Sequence, residues 1–235
     1  MRYVSLPARR PVMDEDRIRA ALGGELALRP EDAARLGFLR ERVLALASPA
    51  GRVCFAEIRR KGADRVVLED GVELDGAGIG ALLRRADAVA LFVVTLGPGP
   101  EREAGAAARA GRMRDAVLLD ALASEATEDL ARAAQRFVEE RAAQEGRAAT
   151  RRFSPGYCDW PLEAQRVLDG LVRFEDVGVL LNENCILQPE KTITAVMGIG
   201  AAGSLGRAIA ARPACAACER RHACPGPDID PRRPA

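Results

Sequence analysis

Arg151-Arg152-Phe153-Ser154-Pro155-Gly156-Tyr157-Cys158-Asp159-Trp160-Pro161-Leu162 gathers the chain's only tryptophan and one of its two tyrosines into a loop held by two prolines and a glycine. Two physical readings are open. The loop is either a rigid connector whose aromatic rings plug the core, or a ligand loop. In the second reading the planar fork of Arg152 suits a carboxylate, Gly156 lets backbone approach closely, and an aromatic face can receive a cation. Composition alone does not choose between them.

The segments on either side set the architecture. Upstream, Val117, Leu118, Ala121, Leu122, Leu130, Ala134, Phe137 and Val138 recur three and four residues apart inside an Ala-rich region that begins near Glu101 and closes at Gly146, the spacing of a long helix with one apolar stripe. Before it, the apolar run Ala88 to Thr95 reads as a buried central strand ended by Gly97-Pro98-Gly99-Pro100. Val53 to Arg60 alternates as a strand, and Arg65 to Leu74 holds two β-prone runs around Asp70-Gly71, a hairpin dipeptide. Asp75 is placed to cap a helix through Ala86. Glu31 to Ala47 is helical by its spacing after Pro30. Downstream come a helix from about Leu162 to Val172 and strands near Val177 to Leu181 and Thr192 to Ile199. Hairpin-like strands with long helices, and no regular βαβ alternation, predict an α+β fold with a twisted, mostly antiparallel sheet.

The aromatic loop resembles the Arg-x-x-x-Gly-Tyr signature of the S-adenosylmethionine-binding reactivation domain of cobalamin-dependent methionine synthase. The stretch Leu180-Leu181-Asn182-Glu183-Asn184-Cys185-Ile186-Leu187-Gln188-Pro189-Glu190-Lys191-Thr192-Ile193-Thr194-Ala195 is similar to the family's next motif, where an acidic residue, a proline and a Ser/Thr-rich strand recur. The similarity covers approximately residues 50 to 203 and is strongest over 152 to 200. It implies a stand-alone reactivation domain over 51–212; residues 1–50 read as an N-terminal helical extension packed on it, and the compositionally separate stretch 213–235 as a Cys-rich tail. It also implies that Arg152, Pro155, Gly156 and Tyr157 hold S-adenosylmethionine, with Glu128 on the preceding helix and Glu183 as acidic partners. Glu125 and Asp129 lie close enough to Glu128 to compete for that role, and a solvated helix face accounts for Glu128 equally well. The family's chemistry then places the reaction elsewhere: S-adenosylmethionine presents a carboxylate to a guanidinium and a sulfonium to carboxylates and aromatic faces, and cobalamin on a partner takes the methyl group.

The chain has no cobalamin-binding Asp-x-His-x-x-Gly signature, and its only histidine, His222, lies in the tail. A partner, a methionine synthase or another corrinoid methyltransferase, must therefore bring the corrinoid, with a flavodoxin-type protein as reductant. On this reading the chain is a non-catalytic subunit of methionine biosynthesis. Lys+Arg at 35 against Asp+Glu at 34 leaves no field that would draw it to nucleic acid or anionic lipid. No secretory segment is legible in Met1 to Met13 and no apolar run is long enough to span a bilayer, so a cytoplasmic location is expected.

Cys215, Cys218, His222 and Cys224 put three of the six cysteines and the sole histidine into ten positions. Soft and borderline ligands so placed could hold zinc, or an iron-sulfur cluster with help from Cys158 or Cys185. Two ligands only two apart make an all-tail site cramped, and free thiols on an Arg-rich surface are the alternative. If the tail does hold metal, the chain could instead be a redox or maturation factor for a corrinoid methyltransferase. Gly198-Ile199-Gly200-Ala201-Ala202-Gly203 matches G-x-G-x-x-G literally, but the second parallel strand with its acidic end is missing. A strand end where backbones approach closely is the better account.

Overall fold

The computed structural model describes residues 1–22 and 32–205. In chain order the elements are β1 (Arg2–Ser5), α1 (Glu15–Leu22), α2 (Asp32–Leu46), β2 (Ala50–Lys61), β3 (Arg65–Leu68), β4 (Glu73–Asp75), α3 (Ala77–Leu83), β5 (Ala88–Thr95), α4 (Gly99–Arg109), α5 (Met113–Gln144), β6 (Arg147–Ala149), α6 (Ala164–Val172), β7 (Leu180–Leu181), β8 (Leu187–Gln188) and β9 (Thr192–Ala201). A 3-10 turn, Phe174–Val177, precedes β7. The main sheet runs β4-β3-β2-β5-β9-β6, with β1 also paired to β2, and β7-β8 forms a separate hairpin. Every pairing is antiparallel.

All eight residues of β5 are buried, because helices cover both faces of the sheet. Ala88, Ala90, Phe92 and Val94 point into one apolar cluster with α1, α2, α4 and α5. Val89, Leu91 and Val93 point into a second with α3, α6, Phe174 and Trp160. The period-2 alternation of side chains sends consecutive residues of one apolar run to opposite layers. The same division continues on β9, where Ala195 and Met197 belong to the first layer and Val196 to the second.

Several elements depart from the sequence reading. The helical region after Glu101 is two helices, because Gly111 takes a positive φ of 74° and turns the chain between α4 and α5. Asp75 caps no helix; its carboxylate accepts from Arg65 Nε at 2.6 Å. Asp159 of the aromatic loop instead reaches the first turn of α3, its Oδ2 accepting from Gly78 N at 2.8 Å. Residues 2–5 form a strand that pairs with Arg52 to Phe55, which hydropathy did not disclose. The hairpin at Asp70-Gly71 forms as expected, with Gly71 at φ 87° and its N–H donating to Leu68 O at 3.0 Å. Gly198 and Gly200 sit in β9 where an added Cβ would come within 2.9 Å of Ala86 Cβ and 2.7 Å of Arg85 O. The glycines there answer to close packing of the α3 end against the strand, not to a nucleotide.

Among the described residues no helix is long and apolar enough to cross a membrane. The proposed ligands Cys215, Cys218, His222 and Cys224 lie outside the described residues.

Candidate functional site

After β6 the chain stays beside β9. Thr150 N donates to Gly198 O at 2.8 Å, and Phe153 exchanges both backbone hydrogen bonds with Val196 at 2.9 Å. That extended course fixes where successive side chains go. Phe153 turns to the second layer and stacks on Trp160, ring centroids 5.7 Å apart and nearly parallel at 9°. Its neighbour Arg152 reaches α5, where Nη2 donates to Glu128 Oε2 at 2.5 Å. Trp160 is fully buried, so the loop is anchored by an aromatic plug as the first reading held. Tyr157, Cys158 and Asp159 stay at the surface, while Arg152 is largely covered.

The turn itself is closed by backbone. Gly156 has a positive φ of 86° and donates to Trp160 O at 2.8 Å, while Trp160 N donates to Tyr157 O at 3.1 Å. A side chain at position 156 would be strained by that φ and would meet Leu162 Cδ1 at 3.3 Å. Pro155 is buried and Gly156 exposed, and the Tyr157 side chain is half exposed.

Among the three candidate acids Glu125, Glu128 and Asp129, the structure separates roles that spacing left open. Glu125 pairs with Arg132 at 2.6 Å. Asp129 accepts from Val12 N at 2.8 Å and pairs with Arg9 at 2.9 Å, tying the N-terminal segment to the helix. Glu128 alone of the three faces the aromatic loop. Its carboxylate is about 41% exposed whereas Arg152 is 16% exposed, so the pair sits at a rim with the guanidinium inward. Arg152 Nη1 is buried without a hydrogen-bond partner among the described residues.

Sequence reasoning overlooked the neighbours of that pair. Lys191, just before β9, contacts Asp120 Oδ1 at 2.6 Å and Ser124 Oγ at 3.0 Å. Asp120, Ser124 and Glu128 are successive members of an i, i+4, i+8 row, one stripe of a helix. That row was readable in the sequence, but its cationic partners, Arg152 and Lys191, come from segments far along the chain. On the opposite face Thr194 donates to Gln165 Oε1 at 2.8 Å in a buried pair between β9 and α6. Glu183 lies on the β7-β8 turn, where its carbonyl accepts from Arg166 Nη2 at 2.6 Å. The structure does not bring its carboxylate into an ion pair with Arg152. Cys158 is exposed and Cys185 buried, and no group of three potential metal ligands forms among the described residues.

Fold and site together define a class: an α+β protein with an antiparallel sheet covered by helices on both faces, and an arginine loop clamped between the sheet's edge and the longest helix. A solved structure of that architecture, described as the MetH reactivation domain bound to AdoHcy, superposes with a TM-score of 0.61 at 16% identity, covering 84% of this chain and 78% of that one. At that identity the match shows the fold. No protein-family model matches the sequence, and no curated protein matches it.

Proposed function

We propose that this chain is an S-adenosylmethionine-binding subunit that supports reductive remethylation of cobalamin carried by a separate methionine synthase or related corrinoid methyltransferase. The observation that carries the reading is the Arg152–Glu128 pair at the glycine turn, on a fold shared with a reactivation domain solved with AdoHcy. Arg152 is the group for the ligand's carboxylate, since a guanidinium can hold both carboxylate oxygens at once. Glu128 orients that guanidinium and supplies negative charge for the sulfonium. Gly156 gives the ligand access to backbone, with Pro155 stiffening the turn. Tyr157 presents its ring at the surface, where an aromatic face can receive a cation.

The corrinoid on the partner supplies the nucleophile that takes the sulfonium methyl group. This chain's residues bind and orient the methyl donor, and none is required to move a proton. A flavodoxin-type protein is the proposed electron donor, and Glu183, exposed on its hairpin, is a second acidic contact.

Calorimetric titration with S-adenosylmethionine tests the assignment. Arg152→Ala should abolish measurable binding, and Glu128→Gln should weaken it by about tenfold, the loss of one charge-assisted contact. Unchanged affinity in Arg152→Ala, with the variant folded by circular dichroism, refutes the proposal.

A further inference from the structure

A cleft of about 340 Å³ opens at the carboxyl end of α5, lined among others by Arg2, Phe55, Arg141, Glu145 and Arg147. It lies about 20 Å along the helix from Glu128, so it is separate from the loop described above. Two guanidinium groups stand over the Phe55 ring, Arg141 at 5.7 Å and Arg2 at 5.6 Å from its centroid. The cations differ in how they are satisfied. Arg147 bonds Asp87 and lies 3.7 Å from Glu145, and Arg2 lies 3.9 Å from Glu145. Among the described residues Arg141 has no carboxylate partner, and its Nε is buried without an acceptor.

Two features oppose a simpler account. Cations gather at helix C-termini to meet the last carbonyls and the dipole, but Arg141 donates to none of those carbonyls. A general positive field is not present either, because Glu57, Glu69 and Glu145 also line the cleft. What selects a ligand is the one guanidinium of the cleft that no described carboxylate neutralises; its Nε is shielded without an acceptor, a costly state that turning the side chain toward an acceptor in the cleft relieves. A guanidinium presents its Nε and Nη donors as a fork matched to two oxygens of one planar or tetrahedral oxyanion. The cavity is of the size that holds a small molecule.

We infer that this cleft binds the oxyanion head of a small molecule, a phosphate ester or a carboxylate, on the Arg141 guanidinium. The inference stands independently of S-adenosylmethionine binding at Arg152. The full chain is titrated with sodium phosphate, sodium pyrophosphate and sodium malonate at constant ionic strength, with chloride as the blank. The reporters are the arginine Nε–Hε resonances and the thermal midpoint. A saturable shift of the Arg141 resonance is expected, weakened at least tenfold in the thermal response of Arg141→Gln and partly retained in Arg141→Lys. S-adenosylmethionine affinity should be the same in Arg141→Gln as in the parent. A response to phosphate and pyrophosphate alone identifies the phosphate class, and a response to malonate alone the carboxylate class. No saturable response to any of the three, or an equal response in a folded Arg141→Gln, overturns the inference. Should Arg141→Gln not fold, the resonance of the parent chain decides it.

Discussion

Arg152 and Phe153 are adjacent in sequence and serve opposite sides of the sheet, one in an ion pair at the rim of α5 and the other in an aromatic stack under the second layer. The thiols divide in the same way, by what surrounds each one. Burial pushes the Cys54 thiol up to about 11, so at pH 8 it is almost wholly protonated and a poor nucleophile. Cys158, on the exposed turn, is accessible. Brief alkylation at pH 8 followed by peptide mapping should label Cys158 and leave Cys54 unmodified until the chain is denatured. Rapid labelling of Cys54 in the folded protein would contradict the burial described for β2.

At the level of elements, β9 is where the two layers and the aromatic loop meet. It pairs with β5 along eight positions, carries Thr194 to Gln165 on one face and accepts the Phe153 bridge at its edge. Its glycines are therefore packing residues. Gly198→Ala would set a methyl group 2.9 Å from both Ala86 Cβ and Leu83 Cδ2, and overpacking of this kind costs about 1–3 kcal/mol. Urea unfolding should show that loss as a lower midpoint with an unchanged slope. A neutral result would mean that α3 moves away from β9 at little cost. The helix row Asp120, Ser124 and Glu128 belongs to this scale too, since it gains meaning only when Lys191 and Arg152 are brought to it.

For the whole molecule, α5 is the spine: about 48 Å long, it packs on the sheet and collects α1, α2 and α4 around it. Its first turn is tied to α2 by Arg35 and Asp115, a bonded pair. The hydrogen bond from Arg35 holds the Asp115 carboxyl below the usual carboxylate range, against partial burial that acts to raise it. A carboxyl lowered by folding adds stability above its unfolded value, about 4, and that contribution is lost as pH falls through the lower folded value. Thermal midpoints measured from pH 6 down to pH 2.5 should therefore fall less steeply in Asp115→Asn than in the parent. Equal slopes would show that this link between α2 and α5 adds nothing dependent on its charge.

The sequence by itself determined the element types wherever a period was long or a turn dipeptide specific: the apolar run of β5, the stripe of α5, the Asp70-Gly71 hairpin, and the glycine turn beside a lone tryptophan. These are local properties, set by side-chain period and by backbone angles that few residues adopt. Only the tertiary structure decided that Glu128, not Glu125 or Asp129, meets Arg152, that Asp159 serves α3 in place of Asp75, and that Arg2–Ser5 completes the sheet. Each of those contacts joins segments separated along the chain, and helical spacing places three neighbouring acids within reach of many directions without saying what stands opposite. The partner in space is set by how the helix lies on the sheet, and that is a property of the packed whole.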